Sequence, residues 1–314
     1  MRKIALILAA AGLTATLWAQ APHTALRPEQ TILLYAASAQ GLQDPVQGTP
    51  ASAGFKAVYS NHITAPETYN DWGDVRNISA LARFDLYRPA RPNGKMVVIL
   101  PGGGYGYVSA YNEGIYAAEW LVRRGYTAAV LKYRLPNGVW QVPLEDVHRT
   151  LEYCRAHAQQ WGITRIGILG GSAGGHLAAL ASNLYESDVQ RPDFSVLLYP
   201  VISLEEGLTH AGSMKQLTGG DAALVRKLSM QYAVSAATPP AFIVLSDNDK
   251  VVNPRNSTLY YNALKQQGIP SELHIYPAGG HGWGFYTSEY GKDRLGEENR
   301  YLMLRSLEDF LKSR

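Results

Sequence analysis

The chain is nearly devoid of cysteine. Cys154 stands alone among 314 residues, so no internal disulfide can form and the fold must rest on its apolar core. Cys154 shares a helical face with Val147, Leu151 and Ala158 and reads as a small buried apolar residue rather than a nucleophile. A surplus of either charge is also missing. Twenty-nine Lys and Arg face 26 Asp and Glu, for a formal charge of +3, which leaves no electrostatic case for nucleic acid or an anionic membrane as partner. Beyond residue 18 no apolar run is long enough to span a bilayer, so no stable membrane insertion is expected. H-E-x-x-H and cysteine–histidine clusters are absent, and with them the usual donor sets of metal hydrolases; neither a metal nor a cofactor is expected. G-K-[ST] is absent too, so the glycine-rich turns are not read as phosphate loops.

What is there begins at the start. Met1-Arg2-Lys3 precedes an apolar stretch from Ile4 to Trp18, the pattern of a secretory signal with cleavage after Ala19. Residues 1–19 are therefore expected to be removed, leaving residues 20–314 as a single domain. Loss of Arg2 and Lys3 takes the charge from +3 to +1. No cysteine near the cleavage point offers a lipid anchor. An exported, disulfide-free chain fits a bacterial periplasm or the cell exterior. No sequence pattern specifies an oligomeric state.

Apolar runs then alternate with helical patterns. Strands are expected at 31–35, 82–88, 96–100, 128–133, 165–169, 194–199, 241–245 and 272–276. Helices are expected at 112–124, 144–160, 174–185, 221–231, 254–267 and 297–312. Continuously apolar strands such as Met96–Leu100 suit a sheet covered on both faces. Strands linked by helices make that sheet mainly parallel, and the first two, with no helix between them, an antiparallel edge. The fold class is α/β with about eight strands. Residues 40–54 and 207–220 read as irregular, the second as a short insertion over the active edge.

Chemistry concentrates at the carboxyl ends of these strands, where ligands bind in open α/β sheets. Gly170-Gly171-Ser172-Ala173-Gly174 fits G-x-S-x-G between a buried strand and a helix, the turn that lifts a serine hydroxyl to the sheet edge. A serine hydroxyl needs a base, and His281, in Pro277-Ala278-Gly279-Gly280-His281-Gly282, follows the last strand. The base needs a carboxylate to fix its tautomer. Asp247 and Asp249 both follow the 241–245 strand; Asp249, with Val252 three residues on, is preferred, and Asp247 is read as shaping the turn by an Asx-type bond. Pro101-Gly102-Gly103-Gly104-Tyr105 follows the 96–100 strand in the place of an HGGG-type motif. The N–H groups of Gly103 and Gly104, with that of Ala173, are the expected oxyanion donors. His176, His148, His157 and His210 are read as packing or local bonding residues, and Asp146 with Arg149 as a structural charge pair. Tyr105, Tyr107, Tyr111, Trp140, Trp283 and Tyr286 fall in loops or turns near this edge. Of these, Tyr105, Trp140 and Trp283 are the candidate sugar contacts, because rings with polar tips suit sugar faces.

The segments PGGGY, EGIYAAEWLVRRGYTAAVLKYRLP, RIGILGGSAGGHLAAL, LLYPVIS and ELHIYPAGGHGWG together resemble the secreted α/β-hydrolase esterases of plant-polysaccharide-degrading bacteria, a group with acetyl xylan esterases and feruloyl esterases. The resemblance covers residues 30–314. It implies an α/β-hydrolase fold, a serine esterase with Ser172 as nucleophile, His281 as base and Asp249 as its partner, and an acetylated plant polysaccharide or oligosaccharide as substrate. Asn253 departs from the proline usual after the valine of the acid loop. Feruloyl ester or small peptide hydrolysis on the same three groups is the neighbouring reading, and an inactive carbohydrate-binding homologue is the rival of another class. No long greasy lid is present, which argues against long acyl chains.

Overall fold

The computed structural model describes residue 24 and residues 26–35, 57–285 and 293–314. The expected signal segment, the 40–54 loop and Tyr286 lie outside these. The strands are β1 Gln30–Leu33, β2 Thr68–Tyr69, β3 Asp74–Arg76, β4 Arg83–Tyr87, β5 Lys95–Leu100, β6 Val108–Ser109, β7 Thr127–Lys132, β8 Arg165–Gly171, β9 Ser195–Leu198, β10 Ala241–Ser246 and β11 Ser271–Tyr276. The α-helices are α1 Tyr116–Val122, α2 Gln141–Trp161, α3 Ser172–Asn183, α4 Ala211–Thr218, α5 Ala222–Lys227, α6 Arg255–Gln266 and α7 Glu297–Lys312.

Eight strands form one sheet in the order β1-β4-β7-β5-β8-β9-β10-β11. The pairs β1–β4 and β4–β7 are antiparallel, and every pair from β7 to β11 is parallel. The expected antiparallel edge is thus present and one pair wider than two strands. Alternate residues of each inner strand feed two separate cores. Met96, Val98 and Leu100 join one, Val97 and Ile99 the other. This double burial is why the inner strands read as unbroken apolar runs. From β5 the chain crosses to β7 on one side; after β7 it returns to β8 on the other. The carboxyl ends of β5 and β8 therefore flank the point where the winding reverses, the usual ligand crevice of such sheets.

Five features differ from the sequence reading. A small antiparallel sheet, β2-β3-β6, was not anticipated, because two- and three-residue strands carry no periodicity. The helix expected at 112–124 opens as a π turn over Tyr111–Ile115 in which all five residues are buried. Residues 207–220, expected to be irregular, contain α4. The helix expected at 221–231 stops at Lys227, because the Met230 N–H leaves the helical ladder to bond Ile202 O at 3.0 Å. Cys154 is buried, as expected. Asp146 pairs with Arg134 rather than with Arg149. Its Oδ1 lies 2.7 Å from Arg134 Nη2, while Arg149 faces Glu152 at 3.5 Å. Helical spacing could not reveal this, since the partner arrives from the end of β7.

Candidate active site

Strand β8 ends at Gly171 and α3 starts at once with Ser172. Ser172 holds φ at 53°, a left-handed backbone that a side chain adopts at a cost. The closeness of the turn to its surroundings explains the flanking glycines: a Cβ on Gly174 would stand 1.9 Å from Leu100 O. The turn thus presses the start of α3 onto the end of β5.

Three loops bring the expected groups together. His281 Nε2 is 2.8 Å from Ser172 Oγ, and His281 Nδ1 is 2.6 Å from Asp249 Oδ2. The other oxygen of Asp249 accepts from the N–H groups of Val251 at 2.8 Å and Val252 at 2.9 Å. Those bonds show what the D-x-x-V spacing does: a tight turn grips one carboxylate oxygen and aims the other at the imidazole. Asp247 is exposed, and the neighbouring Asn248 does the loop-shaping assigned to it, accepting from Gly280 N–H at 2.8 Å. Asn253, the departure from the usual proline, accepts from the Arg255 N–H at 3.0 Å and so braces the start of α6. The ring of Tyr199 stands edge-on to His281, 4.8 Å between centroids.

Gly103 and Gly104 follow β5 with φ at 130° and 60°. Among the described residues their N–H groups meet no protein acceptor, whereas the Gly102 N–H is already engaged by Glu113. Ala173 supplies one of the first-turn helix donors that have no partner within the helix. A Cβ on Gly102 would stand 3.0 Å from Ser172 Cβ, so this loop lies against the serine.

Two expected sugar contacts are corrected. Tyr105 and Trp283 are both 0% exposed. Tyr105 donates its hydroxyl to His176 Nδ1 at 2.9 Å and packs edge-on against Tyr133, so it anchors the glycine loop in the core. Trp283 donates to Ser246 Oγ at 3.0 Å and packs on Tyr199. Neither leaves ring surface for a ligand; loop position in the sequence did not reveal that these rings turn inward. Trp140 is half-buried, with Lys227 Nζ 4.7 Å from its ring centroid. His176 bonds Leu228 O at 2.8 Å through Nε2, and burial lowers its pKa to about 4. It is a neutral structural residue. His148 and His157 likewise bond backbone carbonyls, of Leu184 and Tyr153.

Glu113 was missed. On an amphipathic helix a glutamate reads as a solvated position, yet it is 4% exposed. Its Oε2 accepts from the Gly102 N–H at 2.6 Å and its Oε1 from the Tyr199 hydroxyl at 2.7 Å. That hydroxyl in turn accepts from the Gly284 N–H at 2.8 Å. Burial, then the charge of Glu113, holds the Tyr199 phenol well above its usual pKa, so it remains a donor. Gly171 makes room for this carboxylate: a Cβ there would stand 2.7 Å from its carboxyl carbon. One acid therefore ties together the glycine loop after β5, the turn at Ser172 and the loop that carries His281. The glycine at position 171, beside an acid in an otherwise apolar helix start, was the available signal.

A family model described as BD-FAE matches residues 84–197. A crystal structure of an acetyl ester-xyloside bifunctional hydrolase from Caldicellulosiruptor lactoaceticus is similar with 36% identity and a TM-score of 0.60, over 71% of this chain and 88% of that one. The chain belongs to the α/β-hydrolase esterases. Within that family it is 39% identical over 214 residues to an acetylxylan esterase of Xylanibacter ruminicola, covering 66% of this chain and 44% of that protein. It is 33% identical over 220 residues to an endo-1,4-β-xylanase B of Butyrivibrio fibrisolvens, covering 64% and 34%. The chain thus spans less than half the length of these curated relatives.

Proposed function

We propose that this chain is a secreted serine carboxylic ester hydrolase that removes acetyl groups from xylan or xylo-oligosaccharides. The observation that carries the reading is the continuous relay of 2.6 Å and 2.8 Å from Asp249 through His281 to Ser172. His281 Nε2 takes the hydroxyl proton as Ser172 Oγ bonds to the ester carbonyl carbon. Asp249 holds Nδ1–H and stabilises the imidazolium that results. Negative charge then develops on the carbonyl oxygen, to be met by the N–H groups of Gly103, Gly104 and Ala173, each worth about 3 kcal/mol in the transition state. The ester C–O bond breaks, and His281 returns the proton to the departing sugar oxygen. Water, deprotonated by the same nitrogen, attacks the acyl-enzyme and releases acetate with Ser172 restored. No step calls for a cofactor. The relatives named for acetylxylan and acetyl ester hydrolysis support the choice of acyl group and substrate, and the sequence pattern of residues 1–19 supports export to the periplasm or cell exterior.

Acetate release from acetylated xylan tests the reading. The Ser172→Ala chain is expected to lose about 10⁴-fold or more in kcat. Activity within tenfold of the parent overturns the nucleophile. Faster turnover of methyl ferulate or of an aminoacyl p-nitroanilide than of acetylated xylan would move the substrate class to the neighbouring readings.

A further inference from the structure

The segment 207–210 runs from the turn after Asp249 to the glycine loop after β5. At one end it is tied to the turn that follows Asp249: Gly207 O accepts from Asn253 Nδ2 at 3.3 Å, and Leu208 O from Asn256 Nδ2 at 2.9 Å. Asn256 is itself fixed, its Oδ1 accepting from the N–H groups of Ile202 and Ser203. At the other end, His210 rests on the oxyanion loop. A Cβ on Gly104 would stand 3.2 Å from its ring carbon Cε1. The segment therefore bridges the acid loop and the oxyanion loop, with an imidazole at its far end.

That imidazole is oriented. Nδ1 accepts from the Ser213 N–H at 3.2 Å and lies 2.9 Å from Ser213 Oγ, which makes His210 the N-cap of α4. A backbone N–H can only donate, so Nδ1 carries the lone pair and the neutral ring carries its hydrogen on Nε2. Burial, and then the charge of His281, lowers the pKa of His210, which keeps the ring neutral and sets it within electrostatic reach of the base. Among the described residues Nε2–H has no protein acceptor.

We propose that His210 is a substrate-binding residue that reads the alcohol half of the ester, its Nε2–H donating to a hydroxyl or ring oxygen of the sugar. The inference rests on the hydrolase reading above and deepens it. An acetyl group offers one acceptor besides the ester oxygen, and that carbonyl oxygen is the one met by Gly103, Gly104 and Ala173. Its methyl offers none. A further fixed donor at the site finds its partner on the sugar, whose uncharged hydroxyls suit a neutral N–H.

The test compares two acetate esters, p-nitrophenyl acetate and a monoacetylated xylo-oligosaccharide, in the parent and in His210→Asn. Asparagine at the N-cap can accept from the Ser213 N–H, so the helix start is kept while the ring is lost. Thermal unfolding of the variant checks that retention. The ratio of kcat/KM for the oligosaccharide over that for p-nitrophenyl acetate is expected to fall about tenfold, through KM, the scale of one hydrogen bond. An equal fall on both esters, carried by kcat, would make His210 an extra oxyanion donor and overturn the sugar contact. An unchanged ratio with unchanged constants overturns it as well. Should the parent itself hydrolyse neither ester, the hydrolase reading fails first and takes this one with it, an outcome distinct from the other two.

Discussion

Asp146 and Glu113 are both buried carboxylates, at 0% and 4% exposure, yet their partners differ in kind. Asp146 meets a cation. Arg134 offers it Nε, Nη2 and its own backbone N–H, and Tyr35 adds a hydroxyl at 2.6 Å. Among the described residues Glu113 meets only neutral donors, a backbone N–H and a phenol. The first arrangement cancels charge and closes the end of β7 onto α2. The second leaves a net negative charge under the serine turn, held in place by hydrogen bonds alone. A buried charge without a countercharge is costly to keep, and the loops it fastens are those that carry the proposed chemistry. Charge matching serves the frame here, and unmatched charge serves the site.

Breaking the matched pair should have the largest effect. Asp146→Ala leaves Arg134 buried with Glu145, 2.8 Å away, as its one remaining acid among the described residues, and is expected to cost about 3–5 kcal/mol in denaturant unfolding, while kcat per folded molecule holds. Next comes a buried group that avoids the problem by staying neutral. The folded pKa of His176 is depressed to about 4 from an ordinary 6.5. The unfolded chain therefore binds the proton first. The stability that follows is complete above pH 6.5 and is lost as pH falls towards 4, an amount of about 3 kcal/mol. His176→Gln, which can still donate to Leu228 O and accept from Tyr105, should flatten that slope in unfolding measured from pH 7 to pH 4. A smaller loss, about 1–3 kcal/mol, is expected for Glu113→Gln, because one of its two donors is left facing an amide N–H. Here kcat should fall by about tenfold or more as the root of the oxyanion loop shifts, the reverse of the pattern for Asp146. If Glu113→Gln costs stability but spares kcat, the two acids play the same part and the contrast is lost. Tyr199→Phe sharpens the comparison without touching the acid: it removes one hydrogen bond to Glu113 and one from Gly284, at about 0.5–1.5 kcal/mol each and so no more in sum than Glu113→Gln, with the ring beside His281 retained.

Legibility in the sequence followed the scale of each feature. Every strand of the large sheet was readable, because short apolar or alternating runs between turn signals leave a pattern of their own. That Ser172, Asp249 and His281 would converge was readable because each follows a strand of the large sheet, and the chain order of the three carries information that none has alone. Contacts made only by folding were not readable. Tyr105 and Trp283 sit in loops yet point inward, and the partners that hold them, His176 and Ser246, are far away in sequence. Glu113 reads as a solvated position by residue type, and the donors that hold it, Gly102 and Tyr199, are not named by its own segment. Helix α4 was hidden because histidine is its N-cap, outside the usual Ser, Thr, Asp and Asn.

The π turn at Tyr111–Ile115 carries a consequence for lineage. It is one residue richer than a regular helical turn, and all five of its residues are buried at once, Glu113 among them. A chain with that single residue deleted would wind as ordinary α-helix, keep its sheet, and swing the carboxylate elsewhere. Room for a replacement acid would then open at position 171. Among homologues, a gap in the first segment should accompany an acidic side chain at the second, two spellings of one charge beneath the same elbow.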